Sequence, residues 1–434
     1  MFNMKRLVLL LLLLPGLATA EDTLKIVIDE GIENALPIAV VPFGWQQDTL
    51  EPVDVALVVA NDLARSGRFA PMKEHDMPQR PTQFQQVNFK DWRLLNMENL
   101  VIGNLNQGDS GAYEVDFRLI NTYNARQLAG FRIPSPVKQL RRTAHRISDI
   151  IFEKLTGVRG AFDTRIAYIT VKNPNPGEKQ YNLQIADADG FDPQILLSSK
   201  QPLMSPAWSP DGKQIAYVSF EKGNSAIYVQ DIASGRRTMV ADNKGINSAP
   251  SWSPDGTRLA MTLSKGGNPD IYIMRLADHS IQRLTFNSAI DTEPAWAVDG
   301  SKIAFTSDRG GTPQIYEISA IGGDARRLTF DGNYNARPRY SPDGKSMVMI
   351  TSRNDNKYRI GLLDLSSGYS TILTSSRLDE SPSFAPNGSM IIYATTSRYG
   401  SELAAVSADG KVHQRLALQG GEVREPAWGP FPSQ

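Results

Sequence analysis

The chain has 434 residues, 41% of them hydrophobic and 21% charged, which is the composition of a globular protein with more than one core. Lys plus Arg and Asp plus Glu both number 46, so the formal net charge is zero; a general nucleic-acid binder, which needs a basic surface, is excluded. The absence of Cys removes disulfides, thiol chemistry and Cys-ligated metal sites.

Residues 1–20 read as a secretory signal peptide: Lys5 and Arg6, the apolar run Leu7–Leu14, the breakers Pro15 and Gly16, and a small-x-small site at Ala18-Thr19-Ala20. Cleavage after Ala20 predicts a mature product that starts at Glu21, exported and soluble. No Cys follows that site, which excludes lipid attachment there, and no later stretch reaches membrane-spanning length. Residues 21–160 read as an N-terminal α/β domain. Leu24–Asp29 and Ile38–Phe43 are strand-like, Val53–Arg65 has helical spacing up to Gly67, and Leu100–Gly103, Tyr113–Tyr123 and Gln127–Ile133 are strand-like, with a turn at Asp109-Ser110-Gly111. Val137–Leu155 is the strongest helix, with Leu140, Ala144, Ile147, Ile150, Ile151 and Leu155 on one face and Gly157 as its stop. His145 falls off that face and is expected at the surface.

From 161 to 434 helical periodicity ends and short strands alternate with Gly, Pro and Asp turns. WSPDG occurs at Trp208–Gly212 and again at Trp252–Gly256. Its proline register, Pro206, Pro250, Pro294, Pro338, Pro382 and Pro426, repeats every 44 residues, followed by Trp208, Trp252, Trp296, Tyr340, Phe384 and Trp428. A period in the forties with four strands per unit marks a β-propeller. The last Pro-x-aromatic strand has no hairpin after it, and Thr164–Thr170 has no such strand before it. The two fragments complete one blade. The expected fold is therefore an α+β two-domain protein: an N-terminal α/β domain followed by a six-bladed β-propeller closed by the C-terminal strand.

There is no G-x-S-x-G elbow, Walker loop or dinucleotide fingerprint. His75, His145, His279 and His413 are scattered, with no partner at helical spacing. Asp187-Ala188-Asp189-Gly190 starts like a calcium loop but lacks its Glu and reads as a turn. No catalytic residue, metal or cofactor is expected, and binding remains. The loops entering each innermost strand ring the mouth of the propeller channel. Before the repeat Pro stand Ser205, Ala249, Glu293, Arg337, Ser381 and Glu425; one earlier stand Met204, Ser248, Thr292, Ala336, Glu380 and Arg424; around them lie Asn247, Asp291, Asn335 and Asp379. These residues differ from blade to blade, as an asymmetric ligand site requires and as unconstrained loops also allow. A second candidate is the terminal segment Glu21, Asp22, Thr23, Leu24, Lys25, Ile26, Val27, Ile28, Asp29, Glu30, Gly31, Ile32 and Glu33. It is either the first strand of the α/β domain or a mobile strand that pairs with a partner's sheet edge.

The chain resembles the TolB family, periplasmic components of the Tol–Pal system of Gram-negative bacteria. The residues that carry the likeness are Leu24–Gly31, Pro37–Trp45, Ile151–Phe162, Thr164–Tyr168, Pro202–Gly212 and Leu378–Gly388. Val298 in place of the turn Pro and Asn387 in place of the turn Asp depart from the pattern. The resemblance implies a monomeric adaptor with no enzymatic activity. In it the lipoprotein Pal sits at the channel mouth and the C-terminal domain of TolA contacts the strand from Glu21 to Glu33, in support of outer-membrane integrity and cell division. It implies no nucleic-acid partner and no membrane span. A periplasmic hydrolase or a sugar-binding propeller is the alternative. On this reading Glu293→Arg weakens Pal binding and leaves the melting temperature unchanged.

Overall fold

The computed structural model describes residues 24–30, 35–45, 51–108, 112–397, 400–418 and 421–432. The signal segment with its cleavage site, residues 21–23 and 31–33 of the terminal segment, and the turn at 109–111 lie outside the described residues. The first strand, β1 (Leu24–Glu30), is not part of the α/β sheet. It runs antiparallel to His413–Leu418 as a fifth strand on the last propeller blade, with Leu24 opposite Leu418 and Ile28 opposite Gln414.

The α/β domain follows, with β2 (Leu36–Val40), β3 (Gly44–Trp45), α1 (Val55–Arg65), β4 (Phe69–Pro71), α2 (Phe89–Leu94), β5 (Asn99–Gln107), β6 (Tyr113–Asn121), β7 (Arg126–Ser135) and α3 (Leu140–Thr156). Its sheet has the order β4-β2-β5-β6-β7, with β3 beside β5. The pairs of β2 with β4 and β5 are parallel, and β5, β6 and β7 form an antiparallel meander. Alternate residues of β2 and β5 serve opposite faces. Ile38, Val40 and Val101 meet Val59, Leu63, Ile147 and Ile151 of α1 and α3, while Ala39, Leu100 and Ile102 pack with Trp92 of α2. Asp54 caps α1 by accepting from the Leu57 N–H at 2.8 Å. The expected long helix starts as a 3₁₀ turn at Val137–Gln139 after Pro136 and becomes α-helical at Leu140. Gly157 ends it in the left-handed conformation, φ 75°, as its position in the sequence suggested.

The propeller consists of six blades. Blade 1 joins β8 (Arg165–Lys172), β9 (Gln180–Asp187) and β10 (Gln194–Ser199) to the C-terminal strand Glu422–Trp428, which pairs with β8 and closes the ring. Innermost strands Leu203–Trp208, Asn247–Trp252, Asp291–Trp296, Tyr334–Tyr340 and Asp379–Phe384 open blades 2 to 6. In blades 2 to 5 the repeated aromatic ties the blade to the one before it. Trp252 Nε1 donates to the Ala207 carbonyl at 3.1 Å, Trp296 Nε1 to Ser251 at 3.1 Å, and Trp208 Nε1 to Ala427 across the closure at 3.0 Å. Tyr340 reaches Glu317 of the preceding blade through its hydroxyl instead, at 2.8 Å. Each such bond is worth about 1 kcal/mol net. The turn glycine combines φ 69° at Gly212 with a close approach: a Cβ there would lie 3.3 Å from the Pro430 ring of the neighbouring turn. Pro430 thus fills, at the seam, the place that the turn prolines fill elsewhere. Val298 fills it below Gly344, at 3.9 Å, which explains why the departure is tolerated.

The α/β domain docks on the end of the propeller that carries the SPDG hairpins, through blades 1 and 6. Val412 of blade 6 lies against the backbone of Gly67, where a Cβ would come within 2.3 Å of it. His145 is at this joint and not at the surface: it is 2% exposed. The expectation failed because the helix has a second buried face, covered by the propeller. His145 Nδ1 meets Asp62 Oδ2 at 2.7 Å, Ser148 Oγ donates to the same oxygen at 2.7 Å, and Arg65 Nε donates to Asp62 Oδ1 at 3.0 Å. His145 Nε2 points to the blade 1 hairpin, 3.7 Å from Asp189 and 4.0 Å from Asp187, and Arg141 pairs with Asp189. Asp62, His145 and Asp189 carry donor atoms at metal-like separations, but Arg65 and Arg141 already occupy the two carboxylates, so the cluster is an ion-paired joint. Burial alone would raise the Asp62 pKa; His145 and Arg65 override it and hold the carboxyl down at about 2. For His145 burial disfavours the charged ring, and Asp62 and then Asp189 outweigh it and raise the pKa above 6.5.

Two outcomes are expected. Deleting residues 424–434 removes most of the strand paired with β8 and abolishes cooperative unfolding of the propeller; an unchanged melting curve would sink the closure. The raised His145 pKa makes its contribution complete below pH 6.5 and lost as pH climbs through the folded value. His145→Gln should therefore cost about 3 kcal/mol near pH 6 in urea denaturation, and clearly less near pH 9. Equal losses at both would mean that the ring acts by shape alone.

Candidate functional site

At the opposite end of the propeller the six innermost strands share one irregularity. Ser205, Ala249, Glu293, Arg337, Ser381 and Glu425 have φ between 49° and 57°, and strand pairing slips on either side of each of them. None is Gly, and each precedes a Pro, where extended backbone is the norm. A left-handed non-Gly residue costs about 1 kcal/mol or more. Six in register form a built ring of bulges that turns these residues towards the channel.

Side chains of neighbouring blades hold the ring. Arg337 N donates to Glu293 Oε2 at 3.0 Å and to Thr306 Oγ1 at 3.1 Å; Arg337 Nε donates to Glu293 Oε1 at 2.8 Å. The same guanidinium reaches Ser381 Oγ and lies 3.6 Å from Glu425. Ser205 N donates to Glu425 Oε2 at 3.0 Å, and Glu293 N to Thr262 Oγ1 at 3.2 Å. Burial by itself works against the charge of Arg337, but Glu425 and Glu293 reverse the effect and raise its pKa. Arg337 is therefore a fixed cation that spans four of the six blades at the rim. The second-strand threonines Thr262 and Thr306, 44 residues apart, were missed from sequence. Only their register with the ring could have found them.

The mouth residues named from the sequence divide into two groups. Met204, at 37%, and Arg424 are exposed, and Ser205, Ser248, Ala249, Thr292, Glu293, Arg337, Glu380 and Glu425 are part-exposed at the rim. Ser381 and Ala336 are buried. Asn247, Asp291, Asn335 and Asp379 are wholly buried behind it. Asn247 Nδ2 donates to the carbonyls of Asn243 and Ser225, Arg309 grips Asp291 through both oxygens at 2.8 and 3.0 Å, Asn335 Nδ2 donates to Asp331 O, and Thr374 Oγ1 donates to Asp379. These four side chains shape the loops and offer no surface. The rim opens into a cavity of about 310 Å³, walled by Pro206, Val218, Phe220, Pro382 and Pro426. Such a funnel, lined by charged and apolar side chains together, suits an inserted protein loop.

Fold and rim together define a two-domain propeller whose free face is a funnel. The amino-terminal domain model of TolB matches residues 24–128 and the TolB β-propeller model matches residues 152–432. The chain is 58% identical over 429 residues to the Tol-Pal system protein TolB of Thioalkalivibrio sulfidiphilus, with 98% of each chain covered. It is 60% identical over 407 residues to that of Nitrosococcus oceani, covering 94% of this chain and 93% of that one. The crystal structure of TolB from Acinetobacter baumannii superposes with a TM-score of 0.87 at 40% identity, over 94% of this chain and 100% of that one. The chain belongs to the TolB family.

The rim network changes one expectation. Glu293 is not an independent surface charge: its carboxylate accepts from Arg337 N, Arg337 Nε and Thr306 Oγ1. Glu293→Arg sets two guanidiniums against each other and is expected to lower stability by about 2 kcal/mol or more, with a lower melting temperature in calorimetry. A melting temperature equal to that of wild type would show that the network carries no weight.

Proposed function

We propose that the protein is a periplasmic adaptor of the Tol–Pal system, a binding protein and not an enzyme. It receives the lipoprotein Pal at the propeller mouth and TolA through residues 21–33, and so supports outer-membrane integrity and envelope constriction during division. The observation that carries this reading is the ring of six left-handed residues with side chains that differ from blade to blade. A ring kept in register at a cost, but decorated asymmetrically, suits one protein partner in one orientation. Among the mouth residues, Met204, Ser205, Ser248, Ala249, Thr292, Glu293, Arg337, Glu380, Arg424 and Glu425 have surface to offer. Family membership supports the choice of partners, since its curated relatives are Tol-Pal system proteins.

The N-terminal strand supplies the coupling. Described as β1, it is held on blade 6 by backbone pairing with His413–Leu418. A strand held at a sheet edge exchanges readily for another edge. Pal at the mouth favours the docked strand, and TolA takes the released one. Linkage then requires each partner to weaken the other, typically about 5- to 150-fold. Calorimetric titration of the TolA C-terminal domain, with and without saturating Pal, should show that loss. Equal TolA affinity in the two titrations would refute the coupling, and absence of binding by either partner would refute the adaptor reading.

A further inference from the structure

The wall of the channel just below the rim contains one exception to its repeat. The residue after the repeat Pro is Ala207, Ser251, Ala295, Ser383 or Ala427 in five blades, and Arg339 in blade 5. Five small residues leave space, and one long cation enters it. Arg339 lines the cavity together with Glu293, Arg337 and Glu425. Its Nη1 donates to the carbonyl of Pro338 at 2.8 Å. Among the described residues no other hydrogen bond and no ion pair engages the guanidinium, and its remaining nitrogens are not sealed from the cavity. Arg337, its neighbour above, is by contrast bonded to Glu293 and Ser381 and lies near Glu425.

A cation withdrawn from water without a partner is costly. Burial, and next the charge of Arg337, lower the Arg339 pKa, with Glu293 and Glu425 offsetting this only from a distance. The apolar walls formed by Pro206, Val218, Phe220 and Pro382 strengthen any ion pair made there. A free planar fork of donors at the bottom of a funnel matches a carboxylate, which it binds through two parallel bonds.

We propose that Arg339 forms a carboxylate site below the channel mouth, filled by an Asp or Glu side chain that the docked protein inserts along the axis. The choice of a protein side chain over a free small carboxylate rests on the adaptor reading given above; the carboxylate site itself does not.

Two arms test it. In the first, the Arg339 side-chain ¹⁵N signal of the full-length mature protein, assigned by its loss in Arg339→Gln, is followed during titration with acetate, with chloride at equal ionic strength as control. A saturable shift with acetate alone supports the site. In the second, Pal binding is measured for wild type, Arg339→Gln and Arg339→Lys, together with a scan of the acidic residues of Pal to Asn or Gln. Loss of a buried charge partner predicts binding weaker by about 30-fold or more for Arg339→Gln, a smaller loss for Arg339→Lys, and an unchanged or higher melting temperature. One acidic residue of Pal should lose its effect in the Arg339→Gln background. A shift with acetate alongside normal Pal binding supports the site with a free carboxylate as its ligand. No acetate shift together with wild-type Pal binding by Arg339→Gln overturns the proposal, as does weakened binding that couples to no acidic residue. If wild type binds no Pal at all, the adaptor reading falls and the acetate arm still decides the site.

Discussion

Everything at the funnel depends on the closure of the ring. A propeller blade cannot bury its faces alone, and six blades do so only if the last meets the first. Here the meeting is made by backbone pairing between Glu422–Trp428 and β8, by Trp208 Nε1 on Ala427, and by Pro430 against Gly212. The seam uses the same indole–carbonyl bond and glycine–proline contact as the junctions made by Trp252 and Trp296. That equivalence lets six left-handed residues sit in one register, although each is unfavourable on its own. Without closure, no neighbouring carboxylate would hold Ser205, and Arg337 would lose Glu425.

The two ends of the propeller solve opposite electrostatic problems. At the α/β domain, Asp62, His145, Asp189, Arg65 and Arg141 form ion pairs with one another, although Arg65 Nη2, Arg141 Nε and His145 Nε2 are buried without a hydrogen-bond partner. The result is a joint whose charges are turned on one another. At the mouth, pairing is uneven: Arg337 is paired with Glu293 and Glu425, and Arg339 below it has no carboxylate partner among the described residues. Charge held by carboxylates of the protein fixes geometry, and charge without one is available to a ligand.

The architecture was legible because Pro and an aromatic recur every 44 residues in six blades, with a turn Gly in five of them. The physical basis of the motif was not legible. Nothing in WSPDG says that the indole donates backwards to the previous blade, or that the glycine faces a proline from another turn. The left-handed ring could not be read either, since Ser, Ala, Glu and Arg before Pro signal extended backbone. Counting back from the motif did find the ring, but it also gathered Asn247, Asp291, Asn335 and Asp379, whose side chains turn inwards to brace loops. A register specifies a position along the strand, not the direction of the side chain once a bulge intervenes. His145 was misread for a related reason: one apolar stripe accounts for the domain's own core, whereas a polar face can be buried by another domain. The placement of β1 on blade 6 escaped because an alternating strand carries no label for the sheet it joins.

Blade 1 also sets a timetable. Its inner strand lies more than two hundred residues beyond β8 in the chain, so β8 waits with an open edge until five other blades have been made. Pairing across such a separation is slow, because the loop must close before the contact is gained. A ring of this kind reaches its finished shape late, only once the strand at Glu422–Trp428 has found β8.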